Sequence, residues 1–568
     1  MSAVTRRTES AAPVIALLCA VAVAAGVASI WTIAAWLSGA GLGFVDPIGA
    51  IRRGDPWTGA HTAAAVFIGA IFLIVAVLAI IAAARAAKNR TPADRAAPKM
   101  GTGRAIAPLL PAALRKRHAR MGIPAEFVGV TVGYTVAGKV PVRASYEDTV
   151  TLIAGPRRNK SAATVIPNVL AAPGTCLITS MKPDILADTL AARSALGTVH
   201  VLDPQRLASA HRGYDTWWNP LAKVRTTEDA AALAAVFAAA TYGAAGNDDP
   251  FFSSNGRTLM SDYLFAAAVS GEYLPTVLEW LNHPENPIPQ LALKDDYPHL
   301  ASRIKAMVDL TERTRSGVYA YAREALSFLA SDSIRAWVQP IPGAPEFDPE
   351  AFVVAEADTL YLFSEEGPGS AGPLVAALTK AVLTAAENAA KAEPSGRMRV
   401  PFMAILDEAG NICRIPDLPD KYSHYGSRGI IVITILQSQE QGENVWGVTG
   451  FGQLWASSTV RVFGGGNASN AFLRDLSELI GDYEYNESSA STSNGQRTVS
   501  RSRRSERIMD VADLASLSLG RMVVFASGCR PALVRAVPWW EDKALVKLHT
   551  AAAATSANDD AEVLEDAA

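Results

Sequence analysis

Two long runs without any charged side chain stand near the start of the chain, at Ala11–Leu37 and Thr62–Ala84. Each run reaches the roughly 20 apolar residues that a helix needs to cross the hydrocarbon core of a bilayer. The alternative is a secretory signal, which Arg6 and Arg7 would suit, but the first run exceeds the ~7–15-residue apolar core of a signal. The sequence therefore predicts a membrane anchor at residues 1–90 with two transmembrane helices, at about 11–37 and 62–84.

The distribution of basic residues predicts how these helices are oriented. Ten Lys and Arg residues lie from Arg85 to Arg120, whereas the loop between the two runs has only Arg52 and Arg53. Basic residues favour the cytoplasmic side, so both termini are expected in the cytoplasm and the chain in the inner or plasma membrane. Several prolines make residues 91–124 a poor helix interior, so we expect a basic linker there. Its cations either form a solvated flank or touch anionic lipid or DNA phosphate.

Composition narrows the classes of protein that remain. The 568 residues are too many for one ordinary core, so a membrane part and at least two packed units are expected. The formal net charge of −3 argues against a strongly basic protein that coats nucleic acid. The four cysteines are Cys19, Cys176, Cys413 and Cys529. Because they are far apart and form no CxxC pair, they argue against a zinc site or disulfide framework and fit a reducing compartment.

From about Ala125 onward, short apolar runs rich in Val and Ile are separated by Ala-rich stretches such as Asp229–Ala240. Near-continuous apolar strands between helices are typical of an α/β fold with a parallel sheet that is covered on both faces. The expected strands are Thr149–Ala154, Thr175–Ser180, Thr198–Leu202, Thr359–Phe363, Phe402–Leu406 and Gly429–Leu436.

The region between these strands predicts how the soluble part is divided. From Asp249 to Val338, apolar residues recur at helical spacing without convincing strands, which indicates an all-helical insertion. Gly481–Arg507 is rich in Ser, Thr, Asn and Arg, which is typical of a mobile loop. The expected parts are a first portion of the sheet domain at 125–248, an all-α domain at 249–345, a second portion of the sheet domain at 346–550 and a disordered acidic tail at 551–568.

The segment GPRRNKS follows an expected strand and precedes an expected helix, which is the layout of a phosphate-binding P-loop. In a P-loop, backbone N–H groups and the helix start hold phosphates, Lys reaches the terminal phosphates of ATP, and Ser or Thr holds Mg²⁺. Lys160 and Ser161 would take these roles, although a Lys-Ser pair can also follow a turn by coincidence. Asn159 stands where the motif has Gly, and Asn tolerates a left-handed backbone better than other residues with a side chain. The expected nucleotide-binding residues are Gly155, Pro156, Arg157, Arg158, Asn159, Lys160 and Ser161.

Four further side chains follow or precede expected strands in a way that suits nucleotide hydrolysis. Asp407 and Glu408 end one strand and Gln437 ends the next, at the sheet edge where ligands bind in open α/β folds. Asp407 would hold Mg²⁺ through water or the P-loop serine, and Glu408 would polarise the attacking water. Gln437 would sense the γ-phosphate or orient that water. Arg428 precedes the second strand and would reach a neighbouring subunit as an arginine finger. The alternatives are a solvated acidic turn and an ordinary surface arginine.

Six blocks of sequence carry a resemblance to a known family. They are Gly155–Ser161, Thr179–Leu186, Trp217–Leu221, Ile405–Ile430, Thr434–Gly442 and Ser527–Trp540. Together they resemble the TraG/TraD-type coupling proteins of type IV secretion and conjugation, in their actinobacterial form, from the N-terminal helices to about Trp540.

The resemblance implies a hexameric ring of RecA-like P-loop ATPase subunits on the cytoplasmic face of the membrane. It further implies that the all-α domain recruits a relaxase bound to single-stranded DNA and that the ring serves the components of a type IV secretion channel. By the same resemblance, Lys160 and Ser161 match the Walker A residues, and Asp407 and Glu408 match Walker B. Gln437 and Arg428 match the glutamine after the strand and the finger position. Lys182 and Asp184 match a Lys-x-Asp element with a structural or phosphate-proximal role.

Three functions are consistent with these patterns. The first is a hydrolysing motor that moves substrate into the channel along contacts to the DNA backbone. The second is a docking platform that binds nucleotide without hydrolysing it, which the exchange of Gly for Asn159 would favour. The third is a double-strand DNA translocase of the FtsK type, against which the all-α insertion and the DEAGNICRIPDLPD block argue.

Overall fold

The computed structural model describes residues 26, 28–38, 46–54, 56–88, 91–208, 216–243, 249–466, 468–493 and 496–551. The chain divides into two compact units. The larger unit takes its residues from 93–481 and 507–568, and the smaller unit takes its residues from 1–92 and 482–506. Except for Ala551, the predicted acidic tail lies outside the described residues.

The described strands form one sheet of eleven strands and one two-stranded sheet. In chain order they are β1 (Val130–Thr135), β2 (Pro141–Ala144), β3 (Val150–Ile153), β4 (Cys176–Ser180), β5 (Val199–Leu202), β6 (Thr359–Phe363), β7 (Phe402–Leu406), β8 (Ile430–Leu436), β9 (Val460–Phe463), β10 (Asp482–Ser493), β11 (Gln496–Arg507), β12 (Arg521–Ala526) and β13 (Ala532–Arg535).

The described helices are numbered in the same way. They are α1 (residues 28–37), α2 (Pro47–Arg53), α3 (Gly59–Lys88), α4 (Pro111–Ala119), α5 (Ile166–Leu170), α6 (Asp184–Ser194), α7 (Thr227–Tyr242), α8 (Pro250–Ser270), α9 (Leu274–Asn282), α10 (Ile288–Leu293), α11 (Pro298–Val308), α12 (Glu312–Ala325), α13 (Asp332–Ala336), α14 (Pro349–Val354), α15 (Gly372–Ala392), α16 (Ala409–Ile412), α17 (Leu418–Tyr425), α18 (Gln439–Ser457), α19 (Asn470–Ile480) and α20 (Val511–Ala515).

The centre of the large sheet is parallel. Its strand order is β2-β1-β13-β12-β9-β3-β8-β7-β4-β6-β5, and all pairs from β9 to β5 are parallel. Every residue of β3, β4, β6, β7 and β8 is buried, so these strands are covered on both faces. The prediction of an α/β fold with a mostly parallel sheet is confirmed. The register places Ile153 opposite Leu436 and Leu406 opposite Thr434, so β3, β7 and β8 end at the same edge.

Four antiparallel strands that were not predicted extend the sheet beyond β9. β12 pairs with β9 and β13, β13 also pairs with β1, and β1 pairs with β2. β2 illustrates why their sequences gave a weak signal, since it alternates half-buried and buried residues over only four positions. β1 and β2 mix buried and half-buried residues and lack the continuous apolar run on which the prediction depended, whereas β12 has four buried apolar residues in a row and was not predicted despite them.

Between β5 and β6, the described residues form helices α7 to α14, with one isolated β-bridge between Trp217 and Glu346. α7 begins at a capping box in which Thr226 accepts a hydrogen bond from Asp229 N and the Asp229 carboxylate accepts one from Thr226 N. α8 begins after Asp249, whose side chain accepts a hydrogen bond from Phe251 N. These caps fix where the helices start, and each helix buries a stripe of apolar side chains.

Two segments differ from the expectations. Residues 91–124, expected as a linker, form short helical turns and α4, and Ile106 and Leu109 are buried in the core of the larger unit. Proline suits the first positions of such turns, as Pro111 does at the start of α4. Gly481–Arg507, expected as a mobile loop, contains the paired strands β10 and β11.

The two predicted transmembrane segments fall in the smaller unit. Most of the first run lies outside the described residues, and the second run lies within α3. In the part of the chain that the structure describes, no helix reaches the length and apolarity that crossing a membrane requires.

Candidate active site

The loop that follows β3 turns sharply at the edge of the sheet. Ala154 N donates a hydrogen bond to Leu436 O at 3.0 Å, so the loop leaves the sheet beside the end of β8. Arg157 and Asn159 have φ values of +59° and +60°, in the left-handed region. Asn occupies this region at lower cost than most residues, so glycine is not required at position 159 for this backbone. The left-handed conformation of Arg157 had no signal in the sequence.

A glycine-rich segment after β9 supports the back of this loop. Gly155 N donates to Gly465 O at 2.9 Å. A Cβ on Gly466 would lie 2.6 Å from Gly155 Cα, and Gly466 has a φ of +119°, so a side chain at this position is excluded by space and by backbone conformation. Arg158 holds the loop to another segment, because its Nη1 donates a hydrogen bond to Leu517 O at 2.5 Å. The sequence analysis did not identify this support, although the Gly464–Gly466 triplet was a visible signal.

The loop leads into a helical start that is wound more widely than an α-helix. Ser161–Val165 forms a π-helical turn in which Ile166 N donates to Ser161 O. Pro167, in the following α5, has no N–H group. It therefore cannot donate the backbone hydrogen bond that an ordinary α-helix would have at this position. Single π-turns of this kind are frequent at functional sites. The N–H groups of such a start suit bound phosphate.

Lys160, Glu408 and Gln437 lie together at the common edge of β3, β7 and β8. Lys160 Nζ is 3.0 Å from Glu408 Oε1, and Gln437 Nε2 donates to Glu408 Oε2 at 2.7 Å. The lysine and glutamate side chains are only 8% and 12% exposed. Glu408 itself has a φ of +55°, a strained backbone that aims its side chain from the start of α16. Both carboxylate oxygens are therefore held by groups that sequence analysis assigned to the same site.

Asp407 is buried behind this cluster, with 4% of its surface exposed. Its Oδ1 has no hydrogen-bond partner among the described residues. Burial, together with the Glu408 carboxylate, raises the pKa of Asp407 to about 7, against the opposing effect of the Lys160 ammonium. A buried, unpartnered carboxylate oxygen fits a cation that is held by one carboxylate, a hydroxyl, water and substrate phosphates, as Mg²⁺ commonly is. The described residues contain no cluster of three or more His, Cys, Asp or Glu that would hold a metal by themselves.

The remaining predicted residues are placed differently. Arg428 precedes β8 and so lies at the opposite edge of the sheet, where its Nη1 is 3.2 Å from Glu387 Oε2. The structure does not bring it to the Lys160–Glu408 pair within one chain. Lys182 and Asp184 follow β4, and their charges act on Asp407 in opposite directions. Ser161 is half-buried at the start of the π-turn.

Part of the chain matches a known protein family. Residues 401–518 match the model of a family described as the TraM recognition site of TraD and TraG. That segment contains Asp407, Glu408, Arg428 and Gln437. A search of curated proteins gives no match to the chain.

Two solved structures share the fold. The bacterial conjugative coupling protein TrwBdeltaN70, in its unbound monoclinic form, is 18% identical over 71% of this chain and 88% of its own, with a TM-score of 0.51. The plasmid coupling protein TrwB in complex with ADP and Mg²⁺ is 17% identical over 72% of this chain and 89% of its own, with a TM-score of 0.50. The resemblance that the sequence motifs predicted is confirmed: in its matched segment and in its fold, the chain is similar to the TraG/TraD-type coupling proteins.

Proposed function

We propose that the protein is an ATP-driven coupling protein of a conjugative or type IV secretion system. It would receive a relaxase–DNA complex, or a secreted protein, and drive its transfer into the channel. The observation that carries the proposal is the buried cluster of Lys160, Glu408 and Gln437 beside the unpartnered Asp407 Oδ1. A lysine, two acidic groups and a glutamine at the ends of adjacent parallel strands are the parts that nucleotide hydrolysis needs.

Each of these side chains has a distinct task in the proposed reaction. Lys160 would exchange Glu408 for the terminal phosphates of ATP and bind them through its ammonium group. Glu408, once freed, would hold the attacking water and take up its proton, a contribution of roughly 10²–10⁴-fold in rate. Gln437 already donates to Glu408 and would keep that carboxylate oriented.

Magnesium belongs to the same proposal. Ser161 and Asp407 would hold Mg²⁺, which supplies neutralisation of the developing charge on the phosphates when it is bound. Asp407 Oδ1 has no hydrogen-bond partner among the described residues, and the Asp407 backbone is held by Thr179, whose Oγ1 donates to the Asp407 carbonyl at 2.9 Å. The similar protein TrwB is known in complex with ADP and Mg²⁺ and with non-hydrolysable analogues of GTP and ATP.

The assembly and its partners are further parts of the proposal. The uncharged runs near the N-terminus support anchoring in the inner or plasma membrane with both termini cytoplasmic. The family resemblance supports a hexamer with Arg428 as a finger toward the neighbouring subunit. The matched segment at 401–518 supports recognition of a TraM-like partner in addition to relaxase, single-stranded DNA and channel components.

The second candidate is a docking platform that binds nucleotide without turnover. Asn159 is the single residue that favours it, because it replaces the glycine of the motif. The φ of +60° at Asn159 weakens this reading, since the loop takes the left-handed conformation without glycine. The motor is therefore the better-supported function.

The test is ATP turnover by the full chain in detergent, with and without single-stranded DNA. Lys160→Ala and Glu408→Gln should abolish turnover, while Lys305→Ala, which removes an exposed lysine paired only with Asp309, should not change it. DNA-stimulated turnover that both site variants lose supports the motor. A folded oligomer without turnover, in which Asn159→Gly produces turnover, would establish the platform instead.

A further inference from the structure

Gln441 touches both of the segments that carry the candidate catalytic side chains. It lies in the first turn of α18, four residues after Gln437. Its Oε1 accepts a hydrogen bond from Gln437 N at 2.7 Å. Its Nε2 donates to Asn411 Oδ1, on the helix that begins immediately after Glu408. A single amide side chain therefore links the end of β8 to α16.

Gly410 packs directly against the Gln441 side chain. A Cβ on Gly410 would lie 2.5 Å from Gln441 Cγ and 2.6 Å from its Cδ. Only glycine at position 410 leaves room for the side chain. Asn411 is in turn held to the same short helix, because its backbone N donates to Glu408 O at 2.9 Å. The hydrogen bonds that run from Gln437 through Gln441 and Asn411 therefore end at Glu408, which carries the proposed catalytic carboxylate.

We propose that Gln441 is a positioning residue for nucleotide hydrolysis, which sets Gln437 at the right distance from Glu408. The inference rests on the proposed function and adds to it a residue that touches neither nucleotide nor metal. Gln437 and Glu408 are themselves joined by a 2.7 Å hydrogen bond, and Gln441 fixes the backbone on both sides of that bond. Without Gln441, Gln437 N loses its acceptor and α16 loses its tie to α18. The Gln437–Glu408 hydrogen bond then loses the side-chain link between the two segments that carry it.

We expect substitution of Gln441 to lower the rate of ATP turnover without changing the affinity for nucleotide. The hydrogen bonds that Gln441 makes among the described residues go to Gln437, Ser438 and Asn411 and not to the P-loop, so nucleotide affinity should be preserved. Gln441→Leu keeps the approximate size of the side chain but can neither accept from Gln437 nor donate to Asn411. We expect kcat to fall roughly 10- to 100-fold, as when a supporting hydrogen bond of a reacting group is removed, with KM changed by less than about threefold.

Two further variants separate positioning from simple structural damage. Gln441→Glu keeps the acceptor for Gln437 N and should retain most of the activity that Gln441→Leu loses. Gly410→Ala leaves Gln441 in the sequence but displaces its side chain, so it should reproduce the fall in kcat. Gln453→Leu is the matched control, because Gln453 is an exposed glutamine of the same helix whose side chain donates a hydrogen bond to Asp420, away from the candidate site residues.

The experiment measures steady-state ATP turnover and the affinity for a fluorescent ATP analogue on the full chain in detergent. A fall in kcat for Gln441→Leu and Gly410→Ala, with preserved affinity and with recovery in Gln441→Glu, supports the inference. Wild-type turnover with unchanged kcat in Gln441→Leu overturns it and leaves the proposed function intact. An equal loss of affinity and kcat in all three variants also overturns it, in favour of a structural role. Absence of turnover in the wild type overturns the proposed function itself.

Discussion

Lys160 and Glu408 form an ion pair at 3.0 Å, and Gln437 donates a hydrogen bond to the second carboxylate oxygen. Any phosphate that binds Lys160 must compete with this carboxylate. Glu408→Gln removes both the competing charge and its repulsion of phosphate, so we expect the variant to bind an ATP analogue several-fold more tightly. The same variant should lose turnover by roughly 10²-fold or more, because the proton acceptor is gone. Equilibrium titration with a fluorescent analogue and phosphate-release kinetics measure the two effects. Weaker binding by Glu408→Gln would contradict the competition.

Asp407 gives a prediction for the pH dependence of stability. Its folded-state pKa, about 7, lies above its ordinary value of 3.8. Between these pH values the folded chain keeps a proton that the unfolded chain has released, so the free energy of unfolding falls as pH rises through this window. Asp407→Asn removes this titration. We expect Tm of the nucleotide-free protein to fall less steeply between about pH 4 and pH 7 in the variant than in the wild type, which is the window set by the two pKa values.

The control for this measurement is Asp309→Asn, which removes an exposed carboxylate that pairs only with Lys305. The Tm of this variant should fall with rising pH as steeply as the Tm of the wild type. If Tm falls with pH equally steeply in the wild type and in Asp407→Asn, the pKa of Asp407 is not raised in the folded protein.

The left-handed backbone of Asn159 predicts which substitutions the P-loop tolerates at this position. Asn159→Gly should keep nucleotide affinity and turnover within about threefold, because the loop already has the conformation that glycine allows. Asn159→Val should lose binding, since a β-branched residue is a genuine outlier at a φ of +60°. The affinity for a fluorescent ATP analogue, measured for both variants beside the wild type, checks the prediction. A large gain in turnover on Asn159→Gly would show instead that asparagine limits the site.

The support of the P-loop by Gly466 predicts that a substitution which changes no charge alters nucleotide binding. Gly466→Ala places a methyl group 2.6 Å from Gly155 at a φ of +119°, so the loop or the β9 end must move. We expect lower stability and loss of nucleotide binding. Gly452→Ala is the control, because a Cβ there meets nothing within 4 Å and alanine favours the α18 helix in which it lies. Thermal melts with and without nucleotide distinguish the two, and equal behaviour of both variants would contradict a role for Gly466.

The sequence predicts the Lys160–Glu408–Gln437 cluster because each residue follows a continuous apolar strand, and parallel strands that end together bring their following residues together. The support from Gly464–Gly466 could not be predicted in the same way. It depends on the pairing of β9 with β3, and β9 was not identified as a strand because Arg461 interrupts its apolar residues. Arg158 and Leu517 are far apart in sequence, and no local pattern indicates such a contact. Contacts that depend on tertiary placement, as these do, become visible only when the strand order is known.

Arg428 yields the prediction that tests assembly. Its pairing with the buried Glu387 at the far edge of the sheet leaves two possibilities: a structural arginine, or a finger that leaves Glu387 to reach the nucleotide of a neighbouring subunit. For a finger, Arg428→Ala should bind nucleotide normally and lose turnover by roughly 10³-fold. Lys421→Ala removes another cation 3.2 Å from the same Glu387 oxygen, so it reproduces the loss of a Glu387 partner without removing the finger. Its turnover should stay near the wild-type value.

Mixed oligomers complete this test. In a ring that combines Arg428→Ala with Lys160→Ala subunits, some interfaces pair an intact Lys160 with an intact Arg428 from the neighbour. Turnover should therefore reappear on mixing two variants that are inactive alone, since a finger acts in trans. A structural arginine makes a different prediction: Arg428→Ala and Lys421→Ala would lose stability together, and mixing would restore nothing. Turnover assays on co-expressed, differently tagged subunits decide between these outcomes.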